Sequence, residues 1–295
     1  MLFPGALGDF LCFAEALFGL RRCSSAPLTV FARPAWTSLL DAHEFSFQSI
    51  EVRGVAELFG VGDLDIAREH FSAAAAIYSW TGHGDEGFAE RLASMGAART
   101  AVYPFRAFAP AEHASDYYAR CLGVAPAPVE IHVGQDASAW VRGVLGGLRR
   151  PLLAVHAGSG SAQKNWSGFS QLADFWRAES GSVVEIVGPA DGPALSGADR
   201  IVSEELPLVA GLLAAVDVYV GNDSGITHLA AALDVPGVAL FRNGSAEHWR
   251  PRSELVRVIE AGPGCSACQG GLCRECLPLE PVAATIRAMR QRVHR

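Results

Sequence analysis

Lysine is almost missing from this chain. Of its 24 basic residues, 23 are arginine, and the single lysine is Lys164. Arginine has replaced lysine wherever either would serve. The survivor therefore marks a place that needs a compact ammonium rather than a planar fork, or else it is one chance surface charge. Long apolar runs are missing too: no 18 consecutive apolar residues occur without a charge, so no membrane-spanning helix is read. No basic stretch precedes the apolar start and no cleavage site follows it, so no secretory signal is read. A cytoplasmic, soluble protein is expected. The net charge is −7 and no long basic run occurs, which argues against a nucleic-acid binder. There is no internal repeat, and no low-complexity tract beyond the alanines at 73–76.

What is present is a large apolar stock in an alternating order. Half of the 295 residues are hydrophobic and 19% are charged, enough for two cores of about 150 residues each. Strand-like runs fall at 28–31, 45–50, 73–78 and 100–103, with helical patterns at 9–20, 85–95, 112–122 and 136–148. Met1-Leu2-Phe3 reads as the end of a first strand. After Arg149-Arg150-Pro151 the alternation restarts: strand 152–157, helix 169–179, strand 183–187, helix 207–215, strand 216–220, a helix, and strand 238–241. Strands alternating with helices imply parallel sheets covered on both faces. The expected fold is α/β, two doubly wound domains at 1–148 and 149–279. A final helix, within 280–295, is expected to pack back across both.

Three turns carry chemistry. Gly221-Asn222-Asp223-Ser224-Gly225 interrupts an apolar strand and opens a helix that Asp223 or Ser224 can cap. Such a turn aims backbone N–H groups and a helix dipole at a phosphate or diphosphate, although an ordinary βαβ unit without a ligand would look the same. Lys164 follows strand 152–157 and the loop Gly158-Ser159-Gly160-Ser161, the strand end where α/β proteins bind ligands. Near the start, Gly5 and Gly8 in Pro4-Gly5-Ala6-Leu7-Gly8-Asp9 let the backbone approach a ligand closely. Asp9 can be the helix N-cap, or a general base taking a proton from an attacking hydroxyl.

Together the segments GALGDFL, HASDYYARCLGV at 113–124, HAGSGSAQKNW and VGNDSGITHLAAALDVPGVALF resemble glycosyltransferase family nine, whose best-known members are ADP-heptose:lipopolysaccharide heptosyltransferases. The resemblance implies the GT-B fold, two Rossmann-like domains facing across a cleft, with the acceptor on the first and the nucleotide-sugar mostly on the second. It implies an inverting, metal-independent transfer without a cofactor, from an ADP-sugar, heptose above all, to a hydroxyl of a cell-envelope glycan, lipid-linked acceptor or lipopolysaccharide core. By the same resemblance Asp9 is the base, Gly5 and Gly8 line the acceptor side, and Lys164 neutralises the donor diphosphate. Asp223, Ser224, Gly225 and Thr227 form the diphosphate turn, His228 follows among the donor-side residues on the first helical turn, where packing beneath the loop is its plainer role, and Gly188 lies by the nucleoside. Work at the inner face of the inner membrane, with peripheral contact, would suit such acceptors. Another GT-B nucleotide-sugar enzyme, such as an epimerase or UDP-sugar transferase, and a non-catalytic nucleotide or glycan binder are the alternatives.

Two features stand apart. Residues 1–147 carry 10 basic and 16 acidic residues, so the expected acceptor domain is not basic overall, although Arg53, Arg68 and Arg106 could cluster. Four of the seven cysteines, Cys265, Cys268, Cys273 and Cys276, form CxxC-x4-CxxC. That pattern suits a tetrathiolate zinc or an iron–sulfur site, reduced thiols, or a disulfide in a compact loop. No metal is assigned from the sequence.

Overall fold

The computed structural model describes every residue except 180, 189–194, 196, 204, 243, 245, 263–271 and 294–295. The chain divides into two compact units, Met1–Pro128 and Val129–Arg295.

In the first unit four parallel strands, β1 (Thr29–Ala32), β2 (Ser46–Ser49), β3 (Ala76–Ser79) and β4 (Arg99–Val102), pair as β1 with β2 and β3 with β4. The chain's first residues join them. Leu2 bridges Phe31 on one side and Ser79 on the other, both in parallel. Its N–H donates to Tyr78 O, while the Phe3 N–H donates to Phe31 O. The sheet thus runs β2-β1-(Leu2)-β3-β4, with the expected N-terminal strand end at its centre.

Helix α1 (Leu7–Cys23) follows that central segment and is apolar almost all round, burying Leu7, Phe10, Leu11, Phe13, Ala14, Leu17 and Phe18. Such a helix must be covered on several sides. The helices α2 (Pro34–Thr37), α3 (Arg53–Glu57), α4 (Asp65–Phe71) and α5 (Glu86–Ala93) come between the strands, and α6 (Ala114–Leu122) packs along α1. The His113 imidazole accepts from the Ser115 N–H to cap α6, and Gly123, at φ +72°, ends it in the left-handed region. Between α1, α6 and the sheet lies an aromatic cluster: Phe3 stacks on Phe13 at 4.2 Å, and Trp80 and Tyr118 meet both edge-on.

The second unit contains a six-stranded parallel sheet. In chain order its strands are β5 (Leu152–His156), β6 (Ser182–Val187), β7 (Asp199–Val202), β8 (Val218–Asn222), β9 (Gly237–Phe241) and β10 (Val256–Glu260), and in space β7-β6-β5-β8-β9-β10. This is the doubly wound order 3-2-1-4-5-6, whose direction reverses between β5 and β8; ligands bind beyond the strand ends at that point. Helices α7 (Gln135–Leu145), α8 (Phe169–Ala178), α9 (Leu206–Ala215), α10 (Gly225–Ala232), α11 (Ala246–Trp249) and α12 (Leu279–Val293) accompany it. Leu153, Val155, Val218, Val220, Val238 and Leu240 face Leu172 and Trp176 of α8 and Val282 and Ile286 of α12 in one core.

Two boundaries differ from the sequence expectation. The units divide after Pro128 rather than at 148/149, because α7 sets its buried stripe Ala137, Val141 and Leu145 on α9, where Gly211 leaves room for Ala137 and Val141. Strand β8 runs on through Gly221 and Asn222, so the turn begins at Asp223. The last helix packs on α8, β8 and β9 of its own unit. Among the described residues, no helix is long and apolar enough to cross a membrane.

Phe13 is fully buried in the aromatic cluster. Phe13→Ala should lower unfolding free energy by about 3–5 kcal/mol, measured by denaturant titration. Val61→Ala, at a side chain 99% exposed, should change it by less than about 0.5 kcal/mol.

Candidate functional site

The second unit brings its sequence-marked residues together at the β5–β8 switch point. Ser224 caps α10, its hydroxyl accepting from the Thr227 N–H at 3.4 Å. The Thr227 and His228 amides turn back to Ser224 O. The Gly225 and Ile226 amides of the first turn have no intrahelical partner and are half-exposed, as an incoming anion requires.

Beneath the turn the hydroxyls interlock. Tyr219 OH lies 2.9 Å from Thr227 Oγ1, which donates to Asn222 O, and His156 Nδ1 at the end of β5 lies 3.2 Å from Ser224 Oγ. Burial pushes the Tyr219 phenol above its ordinary range, so it stays neutral in this network. Gly221 is required here: a Cβ at this position would sit 2.0 Å from Tyr219 OH and 2.7 Å from Thr227 Oγ1. His228 is buried in the first turn of α10.

Lys164 arrives from the loop after β5, at the end of a short 3-10 turn (Ala162–Lys164). Its Nζ lies 2.6 Å from Asp223 Oδ2, with Lys164 39% and Asp223 10% exposed. The cation is thus held beside the α10 N-terminus by a nearly buried carboxylate. Asn222 fixes the approach of the two loops. It is fully buried; its Oδ1 accepts from the Trp166 N–H at 3.0 Å, and its Nδ2 donates to Ala157 O at 2.8 Å. Gly188 follows β6 on the same C-terminal edge of the sheet. The segment after it, 189–194, lies outside the described residues.

The first unit holds the other sequence-marked residues. Helix α1 begins at Leu7 with Ala6 as its cap, so Asp9 is not the N-cap but the third residue of the first turn. Its Oδ2 still reaches back to the Ala6 N–H at 3.3 Å. The rest of the carboxylate is held by Arg106: Oδ1 accepts from Nε at 3.1 Å and Nη2 at 2.7 Å, and Oδ2 from Nη2 at 2.9 Å. Asp9 is 5% exposed and Arg106 52%, so the guanidinium forms the outer layer. Gly5 makes the approach possible, since a Cβ there would lie 2.7 Å from Asp9 Cβ and 2.5 Å from the Phe3 ring. Gly8 lies beside it on α1.

Arg106 was singled out in the sequence only as acceptor-side charge. The pairings show that Arg53, Arg68 and Arg106 do not form a bare basic patch: they bind Glu57, Asp65 and Asp9 respectively. Asn222, His156 and Trp166 escaped sequence reasoning as functional residues. Asn222 and Trp166 stood inside quoted motifs, but their roles depend on contacts across 56 residues or more. Among the described residues, no group of three or more His, Cys, Asp or Glu side chains could hold a metal ion. Cys265 and Cys268 lie outside the described residues.

The comparisons bear on family and fold. The family model described as glycosyltransferase family 9 (heptosyltransferase) matches residues 124–277. No curated protein matches the chain. Among solved structures, the ADP-heptose lipopolysaccharide heptosyltransferase II of E. coli is 19% identical, with a TM-score of 0.76 over 100% of this chain and 99% of that one. A family 9 glycosyl transferase from Veillonella parvula is 19% identical, with a TM-score of 0.71 over 88% of this chain and 84% of its own. E. coli heptosyltransferase WaaC, solved with ADP, is 15% identical, with a TM-score of 0.65 over 98% and 99%. At these identities the likeness is one of fold, and the fold is GT-B, built of two Rossmann-like units.

Asn222→Leu keeps the side-chain size but orphans the buried Trp166 N–H and Ala157 C=O. The expected loss is about 1–3 kcal/mol in the unfolding of the second unit. A change under about 0.5 kcal/mol in denaturant titration would mean that water replaces the amide.

Proposed function

The chain belongs to glycosyltransferase family 9, and from that membership we propose that it transfers a sugar, heptose, from an ADP-sugar to a hydroxyl of a cell-envelope glycan with inversion. The observation that carries the donor half is the Lys164–Asp223 pair beside the α10 N-terminus at the β5–β8 switch point. A diphosphate there accepts from the Gly225 and Ile226 amides and draws on the Lys164 ammonium, with the adenosine toward Gly188. The ADP in the WaaC structure and the ADP-heptose named for heptosyltransferase II support this donor.

Asp9 is the proposed base. One of its oxygens takes the acceptor hydroxyl's proton as that oxygen attacks the anomeric carbon. The bond from that carbon to the diphosphate oxygen breaks, and ADP leaves with the electron pair. Lys164 and the helix N-terminus offset the growing charge, and neither needs a metal ion. Asp9 has to recover a lone pair from Arg106 before it can accept the proton. The arginine is the exposed partner and the one with room to swing. The 16 acidic residues among the first 147, and the pairing of its arginines, favour a weakly charged acceptor over a heavily phosphorylated one. Such a protein works in the cytoplasm, where nucleotide-sugars are made, with the inner membrane face as the place of a lipid-linked acceptor.

Asp9→Asn should lower transfer by roughly two to four decades, with ADP affinity unchanged in calorimetry. Near-normal turnover would remove Asp9 from the mechanism.

The Lys164–Asp223 pair has its own test. Lys164→Ala leaves a nearly buried carboxylate facing the diphosphate, so ADP affinity should fall by about one to two decades. Adding Asp223→Asn should restore part of it, with a coupling of about 0.5–3 kcal/mol in the cycle. Because Lys164 is the only lysine, amine labelling should also slow when ADP is added. Unchanged labelling together with additive variants would return it to a surface charge.

A further inference from the structure

The donor reading uses the Gly225 and Ile226 amides and the Lys164 ammonium, and gives the imidazole of His156 no task. His156 closes β5, a strand whose other residues are Leu, Leu, Ala and Val, and it is only 6% exposed. A polar ring at the end of an apolar, buried strand needs a reason. Side chains alternate along a strand. Leu153 and Val155 enter the core shared with α8 and α12, so Leu152, Ala154 and His156 lie on the opposite face. In the register of the sheet Ala154 is paired with Tyr219 and His156 with Gly221. This is the face beneath the α10 N-terminus, where Tyr219 meets Thr227 and where His156 Nδ1 lies 3.2 Å from Ser224 Oγ.

The hydroxyl protons of this network can be placed in turn. Thr227 has one, and it goes to Asn222 O. Tyr219 is neutral and 2.9 Å from Thr227 Oγ1, so the phenol is the donor of that bond. Ser224 Oγ accepts from the Thr227 N–H, and its own proton is the one left to assign. Turned inward, it goes to a bare His156 Nδ1 or to the neighbouring hydroxyls of Thr227 and Tyr219. Turned outward from the half-exposed serine, it reaches an anion at the first amides of α10. An Nδ1 that carries hydrogen decides between them. It donates to Ser224 Oγ, fills the second lone pair of that oxygen, and leaves the hydroxyl proton to the anion. The 3.2 Å spacing suits this direction: an N–H donor stands about 2.7–3.2 Å from its oxygen, and a hydroxyl donor stands closer.

We propose that His156 is a positioning residue of the donor site: its Nδ1–H donates to Ser224 Oγ and so directs the Ser224 hydroxyl proton onto a phosphate oxygen of the nucleotide. The imidazole itself stays beneath the turn and touches no substrate atom. The hydroxyl adds a charge-assisted bond to those of the Gly225 and Ile226 amides, and such bonds are about twice as strong as neutral ones. This rests on the donor reading above and adds one residue to it.

Nitrogen NMR of the imidazoles in uniformly labelled wild-type protein tests this directly. The nine histidines are assigned from the backbone, so no variant has to fold. In the ADP complex the His156 Nδ1 signal should be that of a nitrogen carrying hydrogen. A bare Nδ1 in that complex overturns the proposal and leaves the donor reading standing. Wild-type protein that binds no ADP at millimolar concentration overturns both. Calorimetry of variants gives a second, independent measure. In His156→Asn the carboxamide nitrogen is bonded to Cγ, as Nδ1 is, and still donates to Ser224, so ADP affinity should stay near that of wild type. His156→Leu fills the space without a donor and should bind ADP about tenfold more weakly, the scale of one hydrogen bond to a charged group. In His156→Gln the nitrogen lies one bond too far out, and the loss should match that of Leu. A ring that only packs would give the reverse order, with Leu above Asn, and that order overturns the proposal. With Ser224→Ala in place, His156→Leu should cost ADP binding nothing further, because its route to the phosphate is gone; additive losses would overturn it.

Discussion

The buried amide of Asn222 is the interaction on which the second unit's site depends. Strand β5 and strand β8 are neighbours in the sheet, but their loops leave it independently and nothing in the sheet fixes how far apart they end. Asn222, at the last position of β8, takes hold of the β5 loop twice, through Ala157 O and the Trp166 N–H. Both bonds are shielded from water, where a missing partner is most costly. Lys164 lies between those two anchor points in sequence, so the position of its ammonium against Asp223 follows from the side chain of Asp223's neighbour, which bonds the loop on either side of the lysine. Trp166 extends the hold to the chain beyond β10, since its indole reaches Leu277 O. The corner is thus a clasp of three chain segments, buried at Asn222 and Trp166 and open to solvent around Lys164 and the first turn of α10.

This explains which parts were legible in the sequence. Strands β5, β6, β8 and β9 sit in the middle of the sheet, buried on both faces, and read as continuous apolar runs. The two strands that went unread, Asp199–Val202 and Val256–Glu260, are its two edges. Edge strands face water on one side and carry charges such as Asp199, Arg200, Arg257 and Glu260, which break the run. In the first unit the short helices α3 and α4 were missed because five and seven residues are too few to show a helical period. Helix α7 was read as a helix but assigned to the wrong neighbour. Its stripe of Ala137, Val141 and Leu145 says that it is covered, not by which element.

The same division runs through the site. Asp9, Lys164 and the 223–228 turn were visible because each is a local pattern, a residue type at a fixed offset from a strand end. The pairings that hold them were invisible because they span distance: Arg106 lies 97 residues from Asp9, and Asp223 lies 59 positions after Lys164. Asp9 was read as a cap or a base. It reaches back to the Ala6 amide from inside the first turn while its carboxylate is held by a guanidinium. A motif places a functional group at the end of a strand; it does not say what holds the group there.

Those partners give the two corners a common logic. Each functional charge rests against an opposite charge that is unequally exposed. At Asp9 the anion is buried and the cation outside; at Lys164 the anion is again the buried member and the cation the accessible one. A buried carboxylate without a partner would be costly, and the arginine or lysine removes that cost in the resting protein. Because the outer member is the cation in both cases, each corner presents positive charge first, although the chain as a whole is acidic. On the proposed reading, a diphosphate would meet an ammonium already positioned, and share it with Asp223 rather than order a free side chain. With Asp9 as the proposed base, an acceptor hydroxyl would meet the arginine first. The carboxylates are therefore the fixed parts of the machinery and the cations the adjustable ones. On that reading the same contrast would account for the single lysine: a flexible ammonium could keep Asp223 and still reach a phosphate oxygen, whereas a planar guanidinium in a bidentate grip, as on Asp9, would have to leave one to hold the other.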